Sequence, residues 1–102
     1  MKIEKFVKKP IPVEMVQITE ENMKEVAKWC GGMVMHTIVD DRIAQGHDFI
    51  RIYTREGRVK AYEGDFIAKG IEGEFYPIRK EIHEKTYMTE EDGMEMVAQW
   101  ES

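Results

Sequence analysis

The sequence predicts an α+β fold in which one N-terminal amphipathic helix packs on a mainly antiparallel, strongly curved sheet of about five or six strands. Three observations predict it. One clear helical periodicity occupies residues 20–30, short runs of β-branched and aromatic residues follow, and turn signals punctuate those runs at close spacing. At 102 residues, 42% hydrophobic and 34% charged, the chain has the length and composition of a single folded domain. The expected division is one α+β domain over 1–88 and an acidic C-terminal extension over 89–102.

Pro10 and Pro12 lack backbone donors and keep the lead-in extended, outside the sheet. Residues 13–19 carry apolar side chains on both alternating faces, the pattern of a central or two-sided strand. Thr19 is then placed to cap a helix, and Glu20, Glu21 and Glu25 suit its positive end. Met23, Val26, Ala27 and Cys30 recur at i, i+3, i+4 and i+7, one apolar stripe, with Lys24 and Lys28 opposite. Gly31-Gly32 ends that helix. Within the stripe, Cys30 is expected to be a buried thiol, because a nucleophile needs exposure and a neighbouring base.

Residues 33–39 read as a strand, and the polar stretch from Asp40 to Asp48 as a connection. Phe49–Thr54 and Arg58–Tyr62 are expected to form a hairpin about a Glu56-Gly57 turn, with Val59 and Ala61 inward. Glu63-Gly64-Asp65 marks a second turn before the short strand Phe66–Ala68. Residues 70–73 turn the chain into Glu74–Ile78, whose Pro77 argues for an edge. A short helical turn is expected over 80–86. Two patterns compete in the tail: Thr89 with Glu90, Glu91 and Asp92 opens a helix, whereas Met94, Met96, Ala98 and Trp100 alternate as a strand would. A tryptophan there calls for something to pack on, either this core or another subunit.

Charge is distributed unevenly. The formal net charge is −5, and Glu90, Glu91, Asp92, Glu95 and Glu101 follow Thr89 with no Lys or Arg among them. The body is therefore neutral and the tail acidic. A neutral body lacks the basic face that non-specific nucleic-acid binding requires. The one basic cluster is Lys2, Lys5, Lys8 and Lys9, diluted by Glu4. A lone cysteine precludes an internal disulfide, no apolar leader follows the first lysines, and no apolar run approaches the ~20 residues that span a bilayer. A soluble, cytoplasmic protein without membrane contact is expected.

No convergent catalytic set emerges. His36, Asp40, Asp41, His47 and Asp48 are the only cluster of metal-ligand types, but their spacing matches no metal motif, and a solvated loop collects such residues naturally. No metal and no cofactor are expected. Asp65, after Gly64, is expected to bond turn amides. His83 has Glu84 beside it but no local nucleophile, and Gly64, Gly70 and Gly73 do not form a nucleotide fingerprint. The aromatics Phe49, Tyr53, Tyr62, Phe66, Phe75 and Tyr76 fall on expected strands, where core and cross-strand packing is their expected role.

Several blocks nevertheless carry a pattern. These are Lys5-Phe6, Lys8-Lys9-Pro10, Gln17, Cys30-Gly31-Gly32, Gly64-Asp65-Phe66-Ile67, Lys69-Gly70, Gly73-Glu74-Phe75-Tyr76-Pro77, Ile82 and Glu84-Lys85-Thr86-Tyr87. In these the chain resembles a family of small proteins of unknown function encoded by tailed bacteriophages and prophages. The resemblance covers roughly residues 3–87, with 36–58 following no family pattern and the tail extending beyond it. It implies a phage or prophage origin and a location in the bacterial cytoplasm, and it carries over no catalytic residues. On the shared block, Asp65, Glu74 and Tyr76 are the candidate binding residues.

The functional expectation is a non-enzymatic accessory module that binds a host or phage protein. Phe6, Trp100 and the Met-rich tail would offer an apolar contact surface, with self-association into a homo-oligomer as one version. Two alternatives stand beside it. One is a small hydrolase or nucleotide-modifying enzyme pairing His83 with Glu74 or Asp65. The other is a single-strand nucleic-acid binder using the strand aromatics and the basic N-terminal segment.

Overall fold

A computed structural model describes residues 1–36 and 48–101. The fold is α+β, with six strands and three helices among the described residues. In chain order these are β1 (Glu14–Gln17), α1 (Met23–Cys30), β2 (Met33–His36), β3 (Asp48–Thr54), β4 (Gly57–Tyr62), β5 (Phe66–Lys69), β6 (Phe75–Ile78), α2 (Lys80–Thr86) and α3 (Glu90–Glu101). The strands form two separate three-stranded antiparallel sheets, ordered β1-β5-β6 and β2-β3-β4, and neither closes into a barrel. This corrects the expectation of one strongly curved sheet.

The division arises at the corner between β4 and β5. The Asp65 carboxylate accepts the Tyr62 N–H at 2.9 Å, and the Asp65 N–H returns to the Tyr62 carbonyl at 3.0 Å. Gly64 adopts φ 93°, a left-handed conformation that only glycine enters without strain. Ile18, just past β1, then uses the corner's remaining backbone groups: its N–H donates to Asp65 O and its carbonyl accepts from Gly64 N–H, both at 2.8 Å. The chain therefore leaves β4 and pairs β5 with β1, Val16 opposite Ile67, instead of continuing one ladder. The same pairing makes β1 an edge strand, where its two apolar faces had suggested a central one.

Helix α1 starts three residues later than the periodicity suggested, because residues 20–22 form a turn. That turn is locked reciprocally, with the Thr19 hydroxyl accepting from Asn22 N–H (3.1 Å) and the Asn22 side chain accepting from Thr19 N–H (2.7 Å). At the other end the N–H groups of Gly31 and Gly32 cap the carbonyls of Lys28 and Ala27. All four stripe residues, Met23, Val26, Ala27 and Cys30, are buried.

They meet Ile50, Ile52 and Ala61 from one sheet and Ile18 and Ile67 from the other, so a single core is shared by both sheets under α1. Trp29 at the rim packs edge-on against Phe75 of β6, with ring centroids 5.0 Å apart. Phe49 faces Tyr62 across the β3–β4 ladder at 5.7 Å, the expected kind of cross-strand pair. The hairpin turn itself sits at residues 55–56, one position earlier than expected, with Gly57 opening β4.

Pro77 lies on β6, an edge strand, where a missing N–H costs no ladder bond. Beyond it, α2 buries no residue of its own. It is held by stacking: the His83 ring lies on Phe66 with centroids 3.6 Å apart and Tyr87 stacks on His83 at 5.6 Å. The tail resolves as helix, with Thr89 accepting the Asp92 N–H at 3.2 Å as the start signal required.

Candidate functional site

An apolar recess among the described residues opens away from the core. It is a cleft of about 550 Å³ between the lead-in (residues 8–13), the β5–β6 turn, and α3 with the segment before it. Each wall has a local cause. Pro10 and Pro12 keep the lead-in extended, and the one internal bond there runs from Ile11 N–H to Lys9 O at 2.8 Å. The β5–β6 turn is closed by Gly70 N–H to Glu74 O (2.7 Å) and Gly73 N–H to Gly70 O (3.0 Å), which pushes Ile71 outward. The helical wall presents Gly93, Met96, Val97 and Trp100, spaced at i, i+3, i+4 and i+7.

Two of the three sequence-derived candidates belong to this cleft. Tyr76, on β6 opposite Ala68, and Glu74, just before that strand, both line it. Asp65 does not; it serves the β4–β5 corner, as its position after Gly64 suggested. The Glu74 carboxylate is engaged locally too, accepting the Glu72 N–H at 3.0 Å. The Tyr76 phenol is held above its ordinary pKa by partial burial, by a hydrogen bond to Tyr87, and by the negative charge of Glu74. Tyr76 is thus a neutral, half-buried phenol in a cleft that the Glu74 carboxylate also lines.

The other candidate chemistry does not assemble among the described residues. His83 is committed to its stack between Phe66 and Tyr87, and no hydrogen bond joins it to Glu74 or Asp65. His36 pairs with Asp48 across the β2–β3 register, while Asp40, Asp41 and His47 lie outside the described residues. No three His, Cys, Asp or Glu side chains among the described residues converge as metal ligands. Cys30 is buried, its thiol near the Ala27 carbonyl at 3.6 Å and its pKa raised by burial.

The sequence reading missed Ile71 and the joining role of Tyr87. Ile71 sits between two glycines' turns and has no periodicity to reveal it. Tyr87 closes the shared motif block, but it comes beside Tyr76 only once the segment after α2 returns to β6. No described helix is long and apolar enough to cross a membrane. Comparison of the chain with protein-family models, with curated proteins and with solved structures returns no match.

Proposed function

We propose that this chain is a non-enzymatic accessory module of a phage or prophage that binds a protein partner through the cleft between its lead-in and α3. One observation carries the reading: Ile11, Ile71, Met88, Met94, Met96 and Trp100 are all exposed large apolar side chains, and all of them line this one recess. Apolar side chains scattered singly over a surface need no explanation, whereas a contiguous set around a recess marks an interaction site. Methionines adapt to irregular partners, and a tryptophan supplies the large, desolvating contact found at interface centres. The polar groups of the cleft do not favour a small polar substrate, since the Glu74 carboxylate is already bonded within its own turn.

The test is site-specific photo-cross-linking in a bacterial host, with the photoreactive residue at position 71 or 96 and a control at the exposed position 58. The reading expects a discrete protein adduct from the cleft positions and none from the control. Adducts to nucleic acid alone, or no adduct from either cleft position, would overturn it.

A further inference from the structure

Resting on that reading, we infer that the partner at the cleft is a second copy of this chain, and that the two copies exchange their N-terminal segments reciprocally. Two segments leave most of their surface uncovered within the chain. Residues 1–12 are exposed throughout, and Phe6 at 84% and Val7 at 85% are nearly fully so. Among residues 90–100 of helix α3 none is buried, Gly93 and Val97 are half-buried, and Trp100 remains 68% exposed.

The two segments are complementary in both respects that matter for docking. The first carries Lys2, Lys5, Lys8 and Lys9 interleaved with Ile3, Phe6 and Val7. The second carries Glu90, Glu91, Asp92 and Glu95 interleaved with Met94, Met96 and Val97, with no basic residue. Within the chain this complementarity is unused. Lys8 and Lys9 line one wall of the cleft and Glu90 the other, yet among the described residues the ion pair made by these lysines is Lys2 with its neighbour Glu4. Ile3, Phe6 and Val7 do not line their own cleft.

A twofold axis resolves both deficits together. In an isologous pair, the basic apolar segment of one copy lies in the cleft of the other, and the reverse contact forms by symmetry. The Pro10-Ile11-Pro12 lead-in supplies the hinge: it belongs to no helix or strand, carries two residues without N–H donors, and joins the segment to β1 without a ladder bond. Phe6 and Val7 would then meet Ile71, Met96 and Trp100, while Lys5, Lys8 and Lys9 face the acidic first turns of α3. The charges set register and orientation, and the apolar contacts supply the affinity.

The test uses the full chain and charge exchange. Sedimentation velocity of the native protein should show a dimer whose dissociation constant rises about tenfold or more from low salt to 0.5 M salt, because exposed pairs are screened. One variant carries Lys5→Glu, Lys8→Glu and Lys9→Glu; the other carries Glu90→Lys, Glu91→Lys and Glu95→Lys. Each alone places like charges at both contacts and should be monomeric, with unchanged circular dichroism. Mixed one to one, both contacts become complementary and the dimer should return. A return on mixing requires exchange between chains, because a segment folded onto its own helix would gain nothing from the other variant.

A native monomer, variants that still dimerise alone, or a mixture that stays monomeric would each overturn the exchange. If the native chain is monomeric while the cleft still cross-links to a different protein, the second copy is wrong and the binding module stands. If it is monomeric and the cleft cross-links to nothing, both readings fall.

Discussion

The β3–β4 hairpin and the tail helix α3 are both rich in alternating apolar and charged residues, and they end in opposite environments. The hairpin buries Phe49, Ile50, Ile52 and Ala61, three of them with no accessible surface at all. Among residues 90–100 of helix α3 none is buried, although they include two methionines, a valine and a tryptophan. The difference lies in what faces each element. The hairpin is roofed by α1 and backed by the β1-β5-β6 sheet, so its inward side chains meet apolar neighbours from both. The tail faces the lead-in, the β5–β6 turn and Tyr76 across an open cleft. Apolar content buries itself only where a second surface has been brought to it.

The comparison breaks most sharply in the core. Ile52→Ala removes a side chain with no exposure and should cost about 2–5 kcal/mol in chemical denaturation; a loss below 1 kcal/mol would mean the shared core is not what holds the sheets together. Gly32→Ala comes next. A Cβ there would stand 2.7 Å from the Arg51 carbonyl and 2.9 Å from Ile50 Cγ2, so α1 or β3 must shift, at about 1–3 kcal/mol on the same measurement. Unchanged stability would show that α1 does not approach β3 so closely.

Asp65→Ala deletes the acceptor at the corner between the sheets and should cost about 0.5–1.5 kcal/mol, while Asp65→Asn, which keeps an acceptor, should recover most of it. Equal losses for the two would point to charge rather than turn geometry. Alkaline pH probes both regions together. Cys30 in the core and Tyr76 in the cleft hold their protons more tightly folded than unfolded, so the unfolded chain ionises first and stability falls as pH rises above about 9. Cys30→Ala should make that fall shallower in pH-dependent thermal melts, and an identical slope would remove the thiol from the account.

The smallest effect sharpens the contrast. Trp100→Ala, on a side chain 68% exposed, should shift stability by less than about 0.5 kcal/mol at concentrations where the protein is monomeric. A core-sized loss there would mean that α3 belongs to the folding unit as fully as the hairpin does.

Much of the local structure was legible because its signals are local. The i, i+3, i+4, i+7 stripe of α1 is a property of eight consecutive residues, and the Gly31-Gly32 stop follows it directly. Asp65 after Gly64 announced its turn because the carboxylate reaches a backbone amide only three residues away. The tail was ambiguous for an equally physical reason: Met94, Met96, Ala98 and Trp100 satisfy a period of two, while Gly93, Met96, Val97 and Trp100 satisfy a helical one. The Thr89 cap and the acidic first turn decide for helix. Of the candidate site, Glu74 and Tyr76 were read as neighbours in sequence and are neighbours in the cleft, whereas Asp65 was grouped with them by motif alone and lies at the corner.

What the amino-acid sequence determined by itself is therefore the α+β class, the helix stripe, the turns, the edge position of Pro77 and the separation of a neutral body from an acidic tail. Each rests on interactions within a few residues or on plain charge counting. Only the tertiary structure decided that β5 pairs with β1, that six strands divide into two sheets over one core, and that Tyr76, Ile71 and Trp100 border the same recess. Strand pairing joins residues some fifty positions apart, such as Val16 and Ile67, and its outcome depends on which edge is free when the chain turns at Gly64. No local pattern encodes that competition.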